Sequence, residues 1–449
     1  MQKFLLLSSF IFCFLKGFSQ WTQTNGPEGG YCREIIEMED LLIISAGNGG
    51  VYASTDDGFS WQSRSSGIPK NYSVHTLIEN NGVLYASVVS RGIFKSTDKG
   101  LNWTPINTGI EYQTFYSLLV DGNNIYAGNA NGGITYSNDG GESWIQAEGV
   151  TSSLQIQDFV IYDSKVYAGA GYNTSNAHLF ESVDGGASWE TIEVPGIGLN
   201  GVRTLHVKLD AFYLGGDGEL WISNDNLKSW TKSELNTYAT ILNITDDGNS
   251  VYLTSYNGRY FQSDDNFVSW RMVENTKSKG FVHDLLVKEG KIFMTSDDGP
   301  YQSLDNGVSW TSNKNGIRAL QIKALHANDD YLFVGTERDG IYRSQDNGNS
   351  WMSSGLGLSS SIPVGVLEII EVENVLYIAT NQGLFSSEDN LTILKPSNYA
   401  IKNKEKALNI FKKIGEADIG QSLVVQNQLV IGIECFEGTD ELIKRCDNY

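Results

Sequence analysis

"STDDGFSW", residues 54–61, sets a serine and an aspartate two apart and then a glycine, a second serine and a tryptophan, all within eight residues. The pattern returns along the chain as "STDKGLNW" (96–103), "SNDGGESW" (137–144), "SVDGGASW" (182–189), "SNDNLKSW" (223–230), "SDDNFVSW" (263–270), "SLDNGVSW" (303–310) and "SQDNGNSW" (344–351). A ninth copy, "LFSSEDN" (384–390), lacks its tryptophan. Successive tryptophans stand 40 to 45 residues apart. A catalytic constellation is not needed eight times over, whereas repeats of about 40 residues mean one supersecondary unit stacked on itself. The motif therefore reads as scaffolding.

Residues 74–109 show what one unit contains. "VHTLIEN" alternates like a strand, "NG" is a hairpin turn, "VLYASVV" is a second strand, "SRG" turns again, "IFKS" is a third, and "NWTPI" follows the motif as a fourth. Four short antiparallel strands per unit make one blade of a β-propeller, with the motif between the third and fourth strands. There the aspartate accepts from backbone N–H groups of the turn, the serine ties down the same turn, and the glycine supplies positive φ. In "NDNLKSW" and "DDNFVSW" the glycine is missing, and Asn226 and Asn266 stand just before its place as residues that tolerate the left-handed region. The tryptophan gives the fourth strand a large apolar face to bury between blades.

These residues resemble the Asp-box (BNR-type) repeat β-propeller family. Its mark is carried here by Asp56, Asp98, Asp139, Asp184, Asp225, Asp265, Asp305, Asp346 and Asp389, and by Trp61, Trp103, Trp144, Trp189, Trp230, Trp270, Trp310 and Trp351. The resemblance implies an all-β fold of four-stranded antiparallel blades. "QWTQTNGPEGG" (20–30) looks like the segment after each motif. Residues 21–25 are therefore expected to supply the fourth strand of the last blade and close a single ring, which spares it exposed strand edges. That reading gives nine blades, with seven or eight if the ninth repeat is disrupted.

The ends differ from the middle. Residues 1–19, with Lys3, the apolar run Phe4 to Leu15 and a small-residue site before Gln20, read as a secretory signal, too short to span a membrane. The propeller is assigned to 20–390, and the expected location is secreted, periplasmic or on the cell surface. From 391 the glycine-rich pattern stops. Helical spacing at Ala407, Leu408, Ile410 and Phe411 precedes two short strands, "SLVVQ" and "LVIGIE". "ADIGQSLVV" and "FEGTDELIKR" resemble the UDP-2,3-diacylglucosamine pyrophosphatase family of lipid A synthesis, and Asp418, Gln421, Glu437, Thr439 and Asp440 match its motifs. Residues 391–449 thus read as an incomplete α/β fragment, joined by gene fusion or by assembly of the sequence. Four cysteines, one of them in the signal, are too few and too scattered for a disulfide framework across the repeats.

Formal net charge is −21, with about −22 in the repeats, which disfavours nucleic acid and anionic lipid as partners. In a propeller the face opposite the motif turns carries the second-to-third turns and the loops between blades. Expected ligand contacts on that face are Tyr72, Arg91, Tyr116, Tyr172, Asn176, Arg203, Tyr256, Arg259, His283 and Arg338, with Tyr31, Arg33, His75, Gln157 and Lys323 beside them. Tyr172 and Asn176 belong to "GYNTSNA" (171–177), the one lengthened second-to-third turn.

Three functions are weighed. The first is a non-catalytic binding or assembly scaffold for a protein or glycan, similar to the photosystem II assembly factors and the sortilin receptors. The second is a glycoside hydrolase similar to the xyloglucanases, for which Asp217, Asp297, Asp298, Glu337 and Asp339 are the candidate carboxylates. Aspartate before glycine is also a common tight turn, and that is the favoured reading of these positions. The third is a sialidase, which needs an Arg-Ile-Pro segment that the sequence lacks. The sequence calls for no cofactor and no metal: "TDDGN" (245–249) and "SDDGP" (296–300) read as turns rather than calcium loops.

Overall fold

The computed structural model describes residues 29–150, 154–171, 178–194, 201–233, 235, 240–256, 258–274, 281–315, 317, 320–354, 364–372, 375–387, 395–396, 423–426 and 429–433. They form nine four-stranded antiparallel sheets, each with its strands in chain order, and one two-stranded sheet. The first sheet comprises Cys32–Met38, Leu41–Ala46, Gly50–Ser54 and Gln62–Ser63. The seventh comprises Val282–Lys288, Lys291–Ser296, Gly299–Ser303 and Thr311–Ser312. The expected strand, turn, strand order of the repeat holds throughout.

In the first eight repeats the motif closes the turn from third to fourth strand. Ser54 Oγ accepts from Gly58 N at 2.8 Å and donates to Asp56 Oδ1 at 2.7 Å. Asp56 in turn accepts from Ser60 N at 2.9 Å and Ser60 Oγ at 2.6 Å. The same bonds recur at Ser96/Asp98, Ser137/Asp139, Ser182/Asp184, Ser223/Asp225, Ser263/Asp265, Ser303/Asp305 and Ser344/Asp346. The turn holds two successive residues at positive φ. In the two copies without glycine these are Asn226 with Leu227 and Asn266 with Phe267, so a bulky residue also takes the left-handed place. Asp389 lies outside the described residues.

The blades are held together by a repeated contact. An aromatic of one sheet's second strand, such as Tyr85, Tyr126, Tyr167, Tyr252 or Phe293, packs under the next sheet's first strand and tryptophan. Backbone bonds fix the spacing: Trp103 N donates to Ser66 O at 2.8 Å, Trp144 N to Thr108 O at 3.0 Å, and Trp189 N to Glu148 O at 3.0 Å. The glycine after each acceptor is required by this approach, since a Cβ on Gly67 would stand 2.1 Å from Trp103 O and one on Gly149 2.0 Å from Trp189 O.

Nine four-stranded sheets are present among the described residues, but the ring takes seven. Trp61 N donates to Asn315 O at 2.9 Å and its indole to Asn313 O at 2.9 Å, so the first sheet follows the seventh through the same bond that joins sheets one to two, two to three and three to four. Cys32, Ile35, Ile44 and Trp61 bury Phe293 and Ile317. Lys288 pairs with Glu37 at 2.8 Å, and Lys291 pairs with Asp57. This corrects the single ring of nine to the seven-bladed alternative. Sheets eight (Ile322–Ala327, Leu332–Thr336, Ile341–Ser344, Met352–Ser353) and nine (Val366–Val372, Val375–Thr380, Gly383–Ser387, Lys395–Pro396) pack on each other through Phe333, Val366, Ile369, Leu376 and Ile378. The closing strand expected at 21–25 falls outside the described residues, and the place it was given, beside Gly383–Ser387, is filled by Lys395–Pro396. The two C-terminal strands, Leu423–Gln426 and Leu429–Ile433, pair as expected, while the helix expected before them is outside the described residues.

Candidate ligand-binding site

The first strands of the seven ring sheets line the central channel, and each carries a β-bulge at one place. A bulge adds a residue to one strand and re-aims its side chain. Here it marks Arg33, His75, Tyr116, Gln157, Arg203, Leu242 and His283, which all line a channel cavity of about 260 Å³ except His75. His75 lies against it, its ring 4.6 Å from that of Tyr116.

The residue after each bulge is polar, and Thr76, Ser117, Asp158, Asn243 and Asp284 each tie their sheet to the next. Asp158 accepts from Leu205 N at 2.8 Å, Asp284 from Ile35 N at 2.9 Å, and Ser117 donates to Ile156 O at 3.1 Å. Burial raises the Asp158 carboxyl to about 6, against the pull of the Leu205 and Phe159 backbone N–H donors. Glu34 and Asp284 are likewise raised, Glu34 by burial first and then by Asp284. Burial, reinforced by Arg33, lowers His75, so this ring is neutral.

A second cavity of about 370 Å³ opens at the channel mouth and shares Arg33, Tyr256 and His283 with the channel. Its walls come from sheets one (Tyr31, Gly47), six (Tyr256), seven (Phe281, His283, Asp297) and eight (Glu337, Arg338, Asp339). Asp297, 2% exposed, accepts from Phe281 N at 3.2 Å and Arg338 Nη1 at 3.3 Å, and His283 Nε2 lies 3.0 Å from it. The Arg338 guanidinium also stands 5.8 Å from the Tyr31 ring. The mouth thus carries aromatic rings and the exposed Arg338 guanidinium together with the carboxylates of Asp297, Glu337 and Asp339.

Of the expected contacts, Tyr116, Arg203, Tyr256, His283 and Arg338 come together here. Tyr72 and Arg91 stack on each other in the second sheet, 4.2 Å from guanidinium carbon to ring, and line neither cavity. Arg259 begins a third strand and also lines neither. Tyr172 and Asn176 lie outside the described residues.

The candidate carboxylates divide similarly. Asp297, Glu337 and Asp339 line the mouth. Asp217 accepts from Thr240 Oγ1 at 3.0 Å, next to an isolated bridge between the two residues, as a turn residue does. Asp298 lies behind the wall, where Lys314 Nζ is 3.6 Å from it and 3.1 Å from Asp339. Tyr301 donates to Asp298 at 2.7 Å, and Tyr342 donates to Asp339. Burial pushes Asp298 up despite Lys314, and the two carboxylates outweigh burial to hold the Lys314 ammonium above its ordinary value. Sequence reading missed Lys314, Phe281, Asp158 and Asp284. The order apolar, variable, polar, apolar at the start of the first strand in each of the seven ring sheets was the signal for the last two.

Comparison with known proteins agrees with this geometry. The family described as DUF6242 beta propeller domain matches residues 35–154. The chain is a β-propeller. Residues 387–449 match the LpxI C-terminal domain, in line with the resemblance read in that segment. A stretch of 72 residues is 36% identical to vacuolar protein sorting/targeting protein 10 of Neosartorya fischeri, covering 15% of this chain and 5% of that protein. Among solved structures, an ancestral GH74 enzyme superposes with a TM-score of 0.62 at 15% identity, over 83% of this chain and 62% of that one. The GH74 xyloglucanase from Xanthomonas campestris gives 0.59 at 12% identity, over 83% and 74%. YCF48 bound to D1 peptide gives 0.51 at 14% identity, over 61% and 93%. These likenesses establish the fold, which serves enzymes and peptide binders alike.

Proposed function

We propose that the propeller is an exported, non-catalytic binding scaffold, which receives a protein or glycan at the mouth of its channel, on the face away from the Asp-box turns. What carries this reading is the state of the carboxylates. Asp297 is engaged by His283, Arg338 and a backbone N–H, Asp298 and Asp339 share Lys314, Asp217 holds Thr240, and Glu337 pairs with Lys323 at 3.3 Å. A glycosidase needs one carboxyl free to protonate the leaving group and a second as base or nucleophile. Tyr31, Tyr256 and Phe281 instead offer flat apolar surface beside Arg338, a lining suited to holding a ligand. The strongly acidic chain speaks against nucleic acid. In this reading residues 1–19 direct export and 20–390 form the binding unit.

The test is a glycan array and a β-glucan hydrolysis assay on the full chain, beside Asp297→Asn, Glu337→Gln and Tyr256→Ala. Retention of a glycan without turnover, lost in Tyr256→Ala, supports a lectin-like scaffold. Silence in both assays with capture of a peptide, again lost in Tyr256→Ala, supports a protein partner. Turnover abolished by Asp297→Asn or Glu337→Gln overturns the reading in favour of a hydrolase.

A further inference from the structure

The nine first strands begin with the same four places, of which the first and fourth are apolar. In the seven ring sheets and in sheet nine those two residues are at most 6% exposed, as at Val282 and Leu285 or Val366 and Ile369. In sheet eight they are Ile322 and Leu325, and they are 47% and 70% exposed. The preceding sheet normally covers this face. Sheet seven precedes sheet eight in the chain, but its covering face is already occupied by sheet one.

Sheet nine shows the complementary vacancy. The second-strand aromatic that packs under the following sheet is Phe333 in sheet eight, fully buried, and Tyr377 at the same register in sheet nine, only half-buried. Beside it Ile370 and Val372 are 50% and 51% exposed. Their counterparts in sheet one, Ile36 and Met38, pack against sheet two.

We propose that copies of this chain associate head to tail, the open face of sheet nine on one copy seating against the open face of sheet eight on the next. A second copy is the occupant because the two faces are the two halves of one contact, and that contact already exists between sheets eight and nine of each chain. Tyr377 takes the place that Phe333 has there, and Ile322 and Leu325 take the places of Val366 and Ile369. The contact is heterologous, so each association leaves one face of each kind open and assembly continues past the dimer unless a ring closes. Leaving such apolar faces in water is unfavourable in proportion to their area.

Sedimentation of the full chain, with Leu325→Asp and Ile370→Asp, tests this. Both side chains are exposed, so circular dichroism and melting temperature of the monomers stay unchanged. The expected result is a mass that rises with concentration beyond the dimer for the parent chain and a monomer for each variant alone. An equimolar mixture of the variants, which restores one intact face of each kind, then gives a one-to-one dimer and nothing larger. A parent chain that stays monomeric up to its solubility limit overturns the proposal. So does self-association of Ile370→Asp alone, which requires a symmetric contact.

Discussion

Lys314 sits between two buried carboxylates that belong to different sheets, Asp298 of the ring and Asp339 of sheet eight. Removing one partner of a buried ion pair leaves charge without compensation, at about 3–5 kcal/mol. Lys314→Met is therefore expected to lower the melting temperature by several degrees at neutral pH. Acid relieves this variant, because a buried carboxyl with a raised pKa is more stable protonated, so the deficit narrows as pH falls through the carboxylate range. The turn aspartates behave in the opposite sense. Asp184 is held at about 2 by Ser188, through its side chain and backbone, and by Ser182. In the unfolded chain it titrates near about 3.9. Its contribution is whole above that value and fades as pH falls toward 2, so the melting-temperature gap between the parent chain and Asp184→Asn should close over that range. A gap that widened in acid would contradict the hydrogen-bond account.

At the scale of the element, each turn depends on a serine and on a close approach. Ser96 Oγ takes the buried Gly100 N–H at 2.9 Å, and Ser96→Ala strands that donor at a cost of about 1–3 kcal/mol, measurable by chemical unfolding. Gly109 lies at φ +92 with Trp144 O 2.6 Å from where a Cβ would stand, so Gly109→Ala forces adjacent blades apart, at about 1–3 kcal/mol. An unchanged unfolding midpoint in either variant would show that the turn is not a fastener. These elements were legible in the sequence because serine, aspartate, glycine and tryptophan recur at fixed spacing. The bulges were not. A bulge is a register shift between two strands, and the residues it re-aims, from Arg33 to Leu242, share no chemistry that a sequence pattern could register.

For the whole molecule, the number of four-stranded sheets was legible and the closure of the ring was not. Every repeat has the apolar first-strand places and the second-strand aromatic or its aliphatic equivalent that a neighbour would cover, so sequence alone offers nine equivalent joints. What selects the joint between sheets seven and one is specific to a few residues: Asp284 reaching Ile35 N, Thr295 Oγ1 donating to Arg33 O at 2.7 Å, and Phe293 under Trp61. The two partners in each of these pairings lie far apart in the chain. The mouth of the channel owes its shape to the same event, since closure after seven places sheet eight beside sheets one and seven, where Arg338 reaches Asp297. The most direct test joins native ion pairs with a zero-length carbodiimide and maps the isopeptide bonds by mass spectrometry. With the pair Lys99 and Glu39, between sheets one and two, as the internal reference, the seven-bladed ring predicts links from Lys288 to Glu37 and from Lys291 to Asp57. Absence of both, with links from sheet one to sheet nine in their place, would show a ring of nine and contradict this account.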